Sequence, residues 1–302
     1  MKILIAIGSK EFSKPTLNLG MKVAQAFNAK TTIIDVGEKI SEFSSQLVEL
    51  AQDQMESWDF DPPGLDVLEW AFNYLSENHL IDVTQLETGF PKNRLIEDGE
   101  DRKMVYLSGT VCEDVNLILR NGDIISELRD EVQYGKYDVT ILGKSRKRNM
   151  SHDLLQYINS SVLIVNNYDN QKFDKILLPL NDADGMMKVA KYAIRVAMAL
   201  DVGIDIFTVI NKKSLNQERS YNIKKVIKLI RRSGVQFTNE EKEGEVVDQI
   251  IKKADKNKII VMKASNMSPI KRYFKGSVPL SVMNESDAVS YTHLTLPTIL
   301  LV

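Results

Sequence analysis

The chain has 302 residues, 43% of them apolar, a formal charge of −2 and a pI near 6.0. That length suggests about two domains with real cores, and the near-neutral balance excludes a global basic field that would draw the chain to nucleic acid or an anionic membrane. Cys112 is the only cysteine, which excludes an internal disulfide and every multi-cysteine metal site and fits a reducing cytoplasm.

The opening residues, MKILIAIGSKEF, are too short an apolar run for a signal peptide, and nowhere do about 18 apolar residues follow one another as a membrane span requires. They read instead as a first strand over 3–7. A helix over 16–28 carries Leu17, Met21, Ala24 and Phe27 on one face, and a second strand follows over 31–36. Next come two amphipathic helices. The first has Ile40, Phe43, Leu47, Leu50 and Trp58 on its apolar face and ends at Pro62-Pro63-Gly64. The second carries Leu65, Leu68, Phe72 and Leu75. Residues 94–96 and 103–107 flank Asp98-Gly99, a hairpin turn. Both tryptophans, Trp58 and Trp70, fall in this region and are read as packing against their own domain. A helix over 123–134, a strand over 139–142, a short helix over 151–158 and a strand over 162–165 complete the first part.

The second part repeats the first. KILIAIGS (2–9) lies on KILLPLND (175–182), and at the same offset KVAQAFNAKTTIIDVG (22–37) lies on RVAMALDVGIDIFTVI (195–210). NGDIISEL (121–128) matches EGEVVDQI (243–250), and YDVTILGKS (137–145) matches NKIIVMKAS (257–265). Four blocks in the same order identify a tandem duplication. The second copy has a helix near 222–232, a strand near 235–239 and a helix over 246–253. Strands separated by helices imply parallel sheets with helices on both faces. The first copy is longer by about 50 residues inserted after its second strand.

The second copy ends on the most informative stretch, KIIVMKASNMSPIKRYFKGS (258–277). Its apolar run suits a strand buried on both faces. An irregular polar and basic loop follows, then Gly276-Ser277 at the mouth of a helix, an arrangement found where open α/β sheets bind nucleotides. Other signals lead nowhere. Gly143-Lys144-Ser145 copies the end of a phosphate-binding Walker loop, but Asp138 stands where its first glycine belongs. His79 and His152 lack a second histidine at helical spacing, which argues against a metal site. Ser151-His152-Asp153 is contiguous and cannot converge as a triad, so it reads as a helix start. Asp35, Asp182 and Asp184 stand near strand ends and read as solvated loop carboxylates.

From Val289 the composition changes. VSYTHLTLPT resembles an in-frame translation of a transposon-type sequencing adapter, which places the end of native protein near Asp287 or Ala288 and leaves His293 without meaning. The expected division is 1–168 for the first domain, with its insert at about 38–115, then 169–288 for the second and 289–302 for a non-native tail. Pro297 to Val302, being apolar and of suitable length, is expected to compete for the vacant last-strand position.

On KILLPLND and on IIVMKASNMSPIKRYFKGSVPLSVM the chain resembles the universal stress protein family in its tandem form, with the insert lying outside the resemblance. The resemblance implies two Rossmann-like domains, each a five-stranded parallel sheet with helices on both faces. It also implies a stress-associated cytoplasmic protein, dimerisation through last strands, and ATP or a related adenine nucleotide as ligand, with Mg2+ accompanying it. Members that bind ATP carry Gly, two residues, Gly, nine residues, then Gly-Ser or Gly-Thr, so that main-chain N–H groups wrap the phosphates. In the second copy Gly276-Ser277 matches the closing pair. Lys263 and Asn266 replace the two glycines, Asn181 beside Asp182 replaces an aspartate near the adenosine, and Val209 follows Thr208 at the adenine position. The implied nucleotide residues are therefore Asn181, Asp182, Val209, Lys263, Ala264, Ser265, Asn266, Gly276 and Ser277.

The first copy departs further. Gly8-Ser9 replaces the aspartate, the loop after Gly143 is about eight residues short, and no Gly-Ser pair remains. Gly143, Lys144, Ser145 and Arg146 open a basic loop that could hold an anion, although such runs are ordinarily solvated. Two readings stay open: a nucleotide binder working through the second copy, or a nucleotide-free scaffold acting through protein partners or a homodimer. An enzyme on the same architecture ranks last, because its His-rich or Ser-Gly-Gly signatures are absent. No catalytic residue and no metal ligand is assigned.

Overall fold

A computed structural model describes residues 1–39, 63–84, 89–91, 95–98, 102–144, 158–166, 172–180, 185–210, 217–264 and 277–293. The helix predicted over 40–58, all but Ile158 of the one over 151–158, and residues 294–302 lie outside that set.

The first half begins with β1 (Lys2–Ile7), α1 (Lys10–Phe27) and β2 (Lys30–Gly37). Helix α1 starts earlier than its apolar pattern suggests. Ser9, in extended backbone, accepts a hydrogen bond from the Phe12 N–H, so the helix is capped well before Pro15. It ends where Asn28 turns left-handed. Its predicted apolar face is buried at Leu17, Met21 and Ala24. After it come α2 (Leu65–Glu77), β3 (Ile81–Asp82), β4 (Ile96–Glu97), β5 (Arg102–Gly109), β6 (Asp114–Asn121), α3 (Ile124–Gly135), β7 (Val139–Gly143) and β8 (Ser161–Val165). Leu65, Leu68, Phe72 and Leu75, the predicted stripe of α2, are all buried, and Trp70 packs against the same core. The hairpin around Asp98 is present, with Ile96 opposite Met104.

The second half runs β9 (Lys175–Leu180), α4 (Met186–Leu200), β10 (Gly203–Ile210), α5 (Gln217–Ser233), β11 (Phe237–Glu243), α6 (Val246–Lys253), β12 (Lys258–Lys263), α7 (Val278–Glu285) and β13 (Val289–His293). Its strands lie in the order β11-β10-β9-β12-β13, and the first half repeats that order as β6-β2-β1-β7-β8. Within each five the pairing is parallel throughout. Each half is thus the expected Rossmann-like unit. Buried apolar side chains form one cluster on each face of the sheet, both running through the two halves.

Three features extend or alter the expected picture. Residues 114–121 form a third parallel strand, β6, where no strand was predicted, and β5 pairs antiparallel to it as an addition to the sheet. Helix α2 follows β2 as α5 follows β10, so part of the predicted insert belongs to the repeated unit. Finally, β13 pairs antiparallel with β8, Tyr291 opposite Leu163, and joins the halves in one sheet. The last-strand position is therefore filled by Val289–His293, the start of the presumed tail.

The junction is well packed. Tyr291 is 1% exposed and its ring lies parallel to Tyr192 at 3.7 Å, with Phe27 of the first half stacked on Tyr192 from the other side at 5.1 Å. Lys144 Nζ and Asn166 Nδ2 both donate to the Ser286 carbonyl, which ties the end of the first half to the turn before β13.

Candidate functional site

In an open parallel sheet the ligand crevice lies beyond the carboxyl ends of the strands, where the strand order reverses. In the second half that point falls between β9 and β12. Their pairing runs from Lys258 opposite Lys175 to Ile260 opposite Leu177 and stops there. Yet β9 stays paired to β10 as far as Leu180, and β12 stays paired to β13 as far as Lys263. Pro179, which has no N–H to donate, stands two residues past the last pair, so the ladder between the two central strands ends there. In the first half the equivalent pair, β1 and β7, remains in register as far as Ala6 and Leu142.

At this end of the sheet Lys263 closes β12 with only 6% of its surface exposed, and among the described residues its ammonium has no hydrogen-bond or ion-pair partner. Ala264, also buried, donates its N–H to the His293 carbonyl at 2.8 Å. Val209 is 4% exposed in the core cluster on the α6 and α7 side. Beside it the Thr208 hydroxyl is buried with no hydrogen-bond partner. Ser277 caps α7, its Oγ accepting from the Leu280 N–H at 3.3 Å, and so occupies the predicted helix mouth as a structural cap. Asn181, Asp182, Asp184, Ser265, Asn266 and Gly276 lie outside the described residues.

The first half is arranged differently at the same level. The N–H groups of Gly8 and Ser9 both donate to the Ser13 hydroxyl, at 3.0 and 3.2 Å, so the turn after β1 is satisfied internally. Gly143 ends β7, and Lys144, a member of the presumed anion loop, spends its ammonium on the Ser286 carbonyl at 2.9 Å. Ser145, Arg146, His152 and Asp153 lie outside the described residues. His79 sits in left-handed backbone just after α2. Among the described residues no three His, Cys, Asp or Glu side chains are grouped as metal ligands would be.

Asp35 corrects its reading as a solvated carboxylate. It is 3% exposed, and burial together with the nearby Asp66 charge pushes its pKa up to about 7. Aspartate in a strand with apolar neighbours on both sides, opposite Ile7 and Leu119, was the available signal. A second buried group carried no such signal in its neighbours along the chain. Glu131 of α3, fully buried, accepts from Arg102 Nε and Arg120 Nε at 2.9 Å each and from the Tyr137 hydroxyl at 2.9 Å. Burial would raise its pKa, but the hydrogen bond and charge of Arg102 hold the carboxyl below its ordinary value. Next to this network a hollow of about 680 Å³ opens on the sheet face, with Thr32, Asn116, Tyr106 and Tyr134 in its lining. Its floor lies over β2, β6 and β5 in the first half, well apart from the carboxyl ends of β9 and β12.

No protein-family model matches the chain, and no curated protein matches it in sequence. Solved structures do match. A universal stress protein from Archaeoglobus fulgidus superposes with a TM-score of 0.56 at 13% identity, covering 96% of this chain and 95% of that one. A putative universal stress protein from Pseudomonas aeruginosa gives 0.56 and 13%, covering 96% and 92%. A universal stress protein in complex with cAMP covers 41% of this chain and 100% of that one, with a TM-score of 0.34 at 18% identity. The full-length similarities show a shared fold of two units.

Proposed function

We propose that this chain is a cytoplasmic, stress-response-associated protein that binds ATP or a related adenine nucleotide beyond the carboxyl ends of β9 and β12, the first half having lost that capacity. The observation that carries the reading is Lys263, buried at the carboxyl end of β12 beside the point where strand order reverses. Having no anion partner among the described residues, it supplies a point charge for phosphate in place of the glycine N–H groups. Thr208 and Val209, facing opposite sides of the sheet near the end of β10, mark the strand end where a base would lie. Asn181, Asp182, Ser265, Asn266 and Gly276 complete the proposed set, with Ser277 holding the start of α7. Mg2+ would enter on the phosphates, since a hard cation of its size keeps water and phosphate oxygens as ligands.

The test is nucleotide released from the purified protein, identified by mass spectrometry, together with unfolding in the presence of ATP. At 100 times its dissociation constant ATP should add about 2.7 kcal/mol, and Lys263→Met should remove the gain. A second reading, a nucleotide-free scaffold with protein partners or a second copy of the chain, draws support from the near-complete burial of Lys263, which fills space that a glycine would leave to phosphate. That reading predicts no bound nucleotide and no ATP-dependent shift.

A further inference from the structure

We propose that Asp35 and the Pro63-Gly64 turn form a proton-operated latch, closed while the carboxyl is neutral, that holds the first turn of α2 down over the carboxyl end of β2. The contact is too close for side chains. Gly64 has φ 93°, and a methyl placed on it would lie 2.4 Å from Asp35 Oδ2 and 2.8 Å from Leu119 Cδ1. A methyl on Gly37 would lie 2.1 Å from the Pro63 carbonyl oxygen. That same carbonyl accepts from Asn121 Nδ2 at 3.1 Å, which anchors the turn to the end of β6. The backbone of the turn therefore rests on the carboxyl itself.

The charges around it favour the neutral form. From α2 the facing group is Asp66, a like charge. Lys10, at the start of α1, is engaged by Asp66 at 3.1 Å with both side chains largely in solvent, and beside these the Val36 N–H is the group that favours the charged form. The neighbouring strands present only Ile7 and Leu119 in register with Asp35. Among the described residues, then, no cation reaches the buried carboxyl to compensate its ionisation. Once charged, it must either be hydrated or move away from Asp66, and both require the turn to lift. The repeat supplies an internal contrast, because the equivalent residue of β10 is the uncharged Thr208. Gly64 also leads α2 with no side-chain cap, so the first turn is held chiefly by this seat. The consequence is a mouth in the first half that opens as pH rises through neutrality, independent of whether the second half binds nucleotide.

The test is amide hydrogen exchange over residues 63–69, corrected for the intrinsic pH dependence of exchange, alongside a 13C titration of the Asp35 carboxyl. The corrected exchange of this turn should rise about ten-fold between pH 6 and pH 8 in the unmodified protein, stay flat in Asp35→Asn, and be high at both pH values in Gly64→Ala. Asp66→Asn should lower the midpoint. Corrected exchange that is independent of pH, or that rises equally in Asp35→Asn, would overturn the latch. If Asp35→Asn does not fold, a carboxyl titrating near pH 4 in the unmodified protein would overturn it equally.

Discussion

Asp35 and Thr208 stand at equivalent places near the ends of β2 and β10, both buried, and only one of them can carry charge. For Asp35 the folded pKa of about 7 lies above the ordinary aspartate value of 3.8. Between those two values the folded chain keeps a proton that the unfolded chain releases, so stability is greatest below the lower value. It falls as pH rises toward the upper one and then levels. Three pH units correspond to about 4 kcal/mol. The unfolded carboxyl is already ionised at pH 5, so urea unfolding at pH 5 and pH 8 should show a loss of about 2–3 kcal/mol, and Asp35→Asn should abolish it. Glu131 behaves oppositely. Its lowered pKa, set by Arg102 and Arg120 against the effect of burial, gives stability that is present above the ordinary carboxylate range and lost in acid. Glu131→Gln leaves Arg102 and Arg120 side by side without their counter-charge, as they are direct partners across β5 and β6. Urea unfolding near neutral pH should show a loss of about 3–5 kcal/mol.

At the scale of elements, α2 depends on how closely its first residue approaches β2. Gly64→Ala adds a left-handed alanine costing about 1–2 kcal/mol and a collision with Asp35 Oδ2. Thermal unfolding should register a loss of at least that size, whereas alanine at Gly89, left-handed but with nothing within 4 Å, should cost only the backbone part. The elements most legible in the sequence were those with strong periodicity. Residues 246–253 form α6 as predicted, and the continuous run Ile259 to Met262 is buried on both faces in β12. The reading of β6 failed for a physical reason. Its counterpart β11 is an edge strand whose FTNEEKE sequence is largely exposed, while β6 lies between β2 and β5 and is apolar at Val115, Leu117, Ile118 and Leu119. One position in the fold therefore carries two unlike sequences, and a repeat comparison slides past it. The place proposed for a crevice follows from strand order alone. The burial of Lys263 and the helix-capping role of Ser277 were not legible, since both depend on neighbours remote in sequence.

On the scale of the whole molecule, the two units share one sheet through a single antiparallel contact, β8 with β13, backed by the Phe27–Tyr192–Tyr291 stack. Tyr291→Ala removes the buried ring that β13 brings to that stack, a change of the kind that costs about 3–5 kcal/mol in a core. Calorimetry should then resolve one unfolding transition into two, as the halves lose their coupling while each keeps its own sheet. The asymmetry between halves matters most for function. One ends its β12 on a buried lysine that has no anion partner among the described residues. The other has its loop lysine drawn to the Ser286 carbonyl. Native mass spectrometry of the purified chain titrated with ATP tests that asymmetry directly. The account predicts one nucleotide per chain, lost in Lys263→Met and retained in Lys144→Met. No nucleotide, two nucleotides, or binding that survives in Lys263→Met would contradict it.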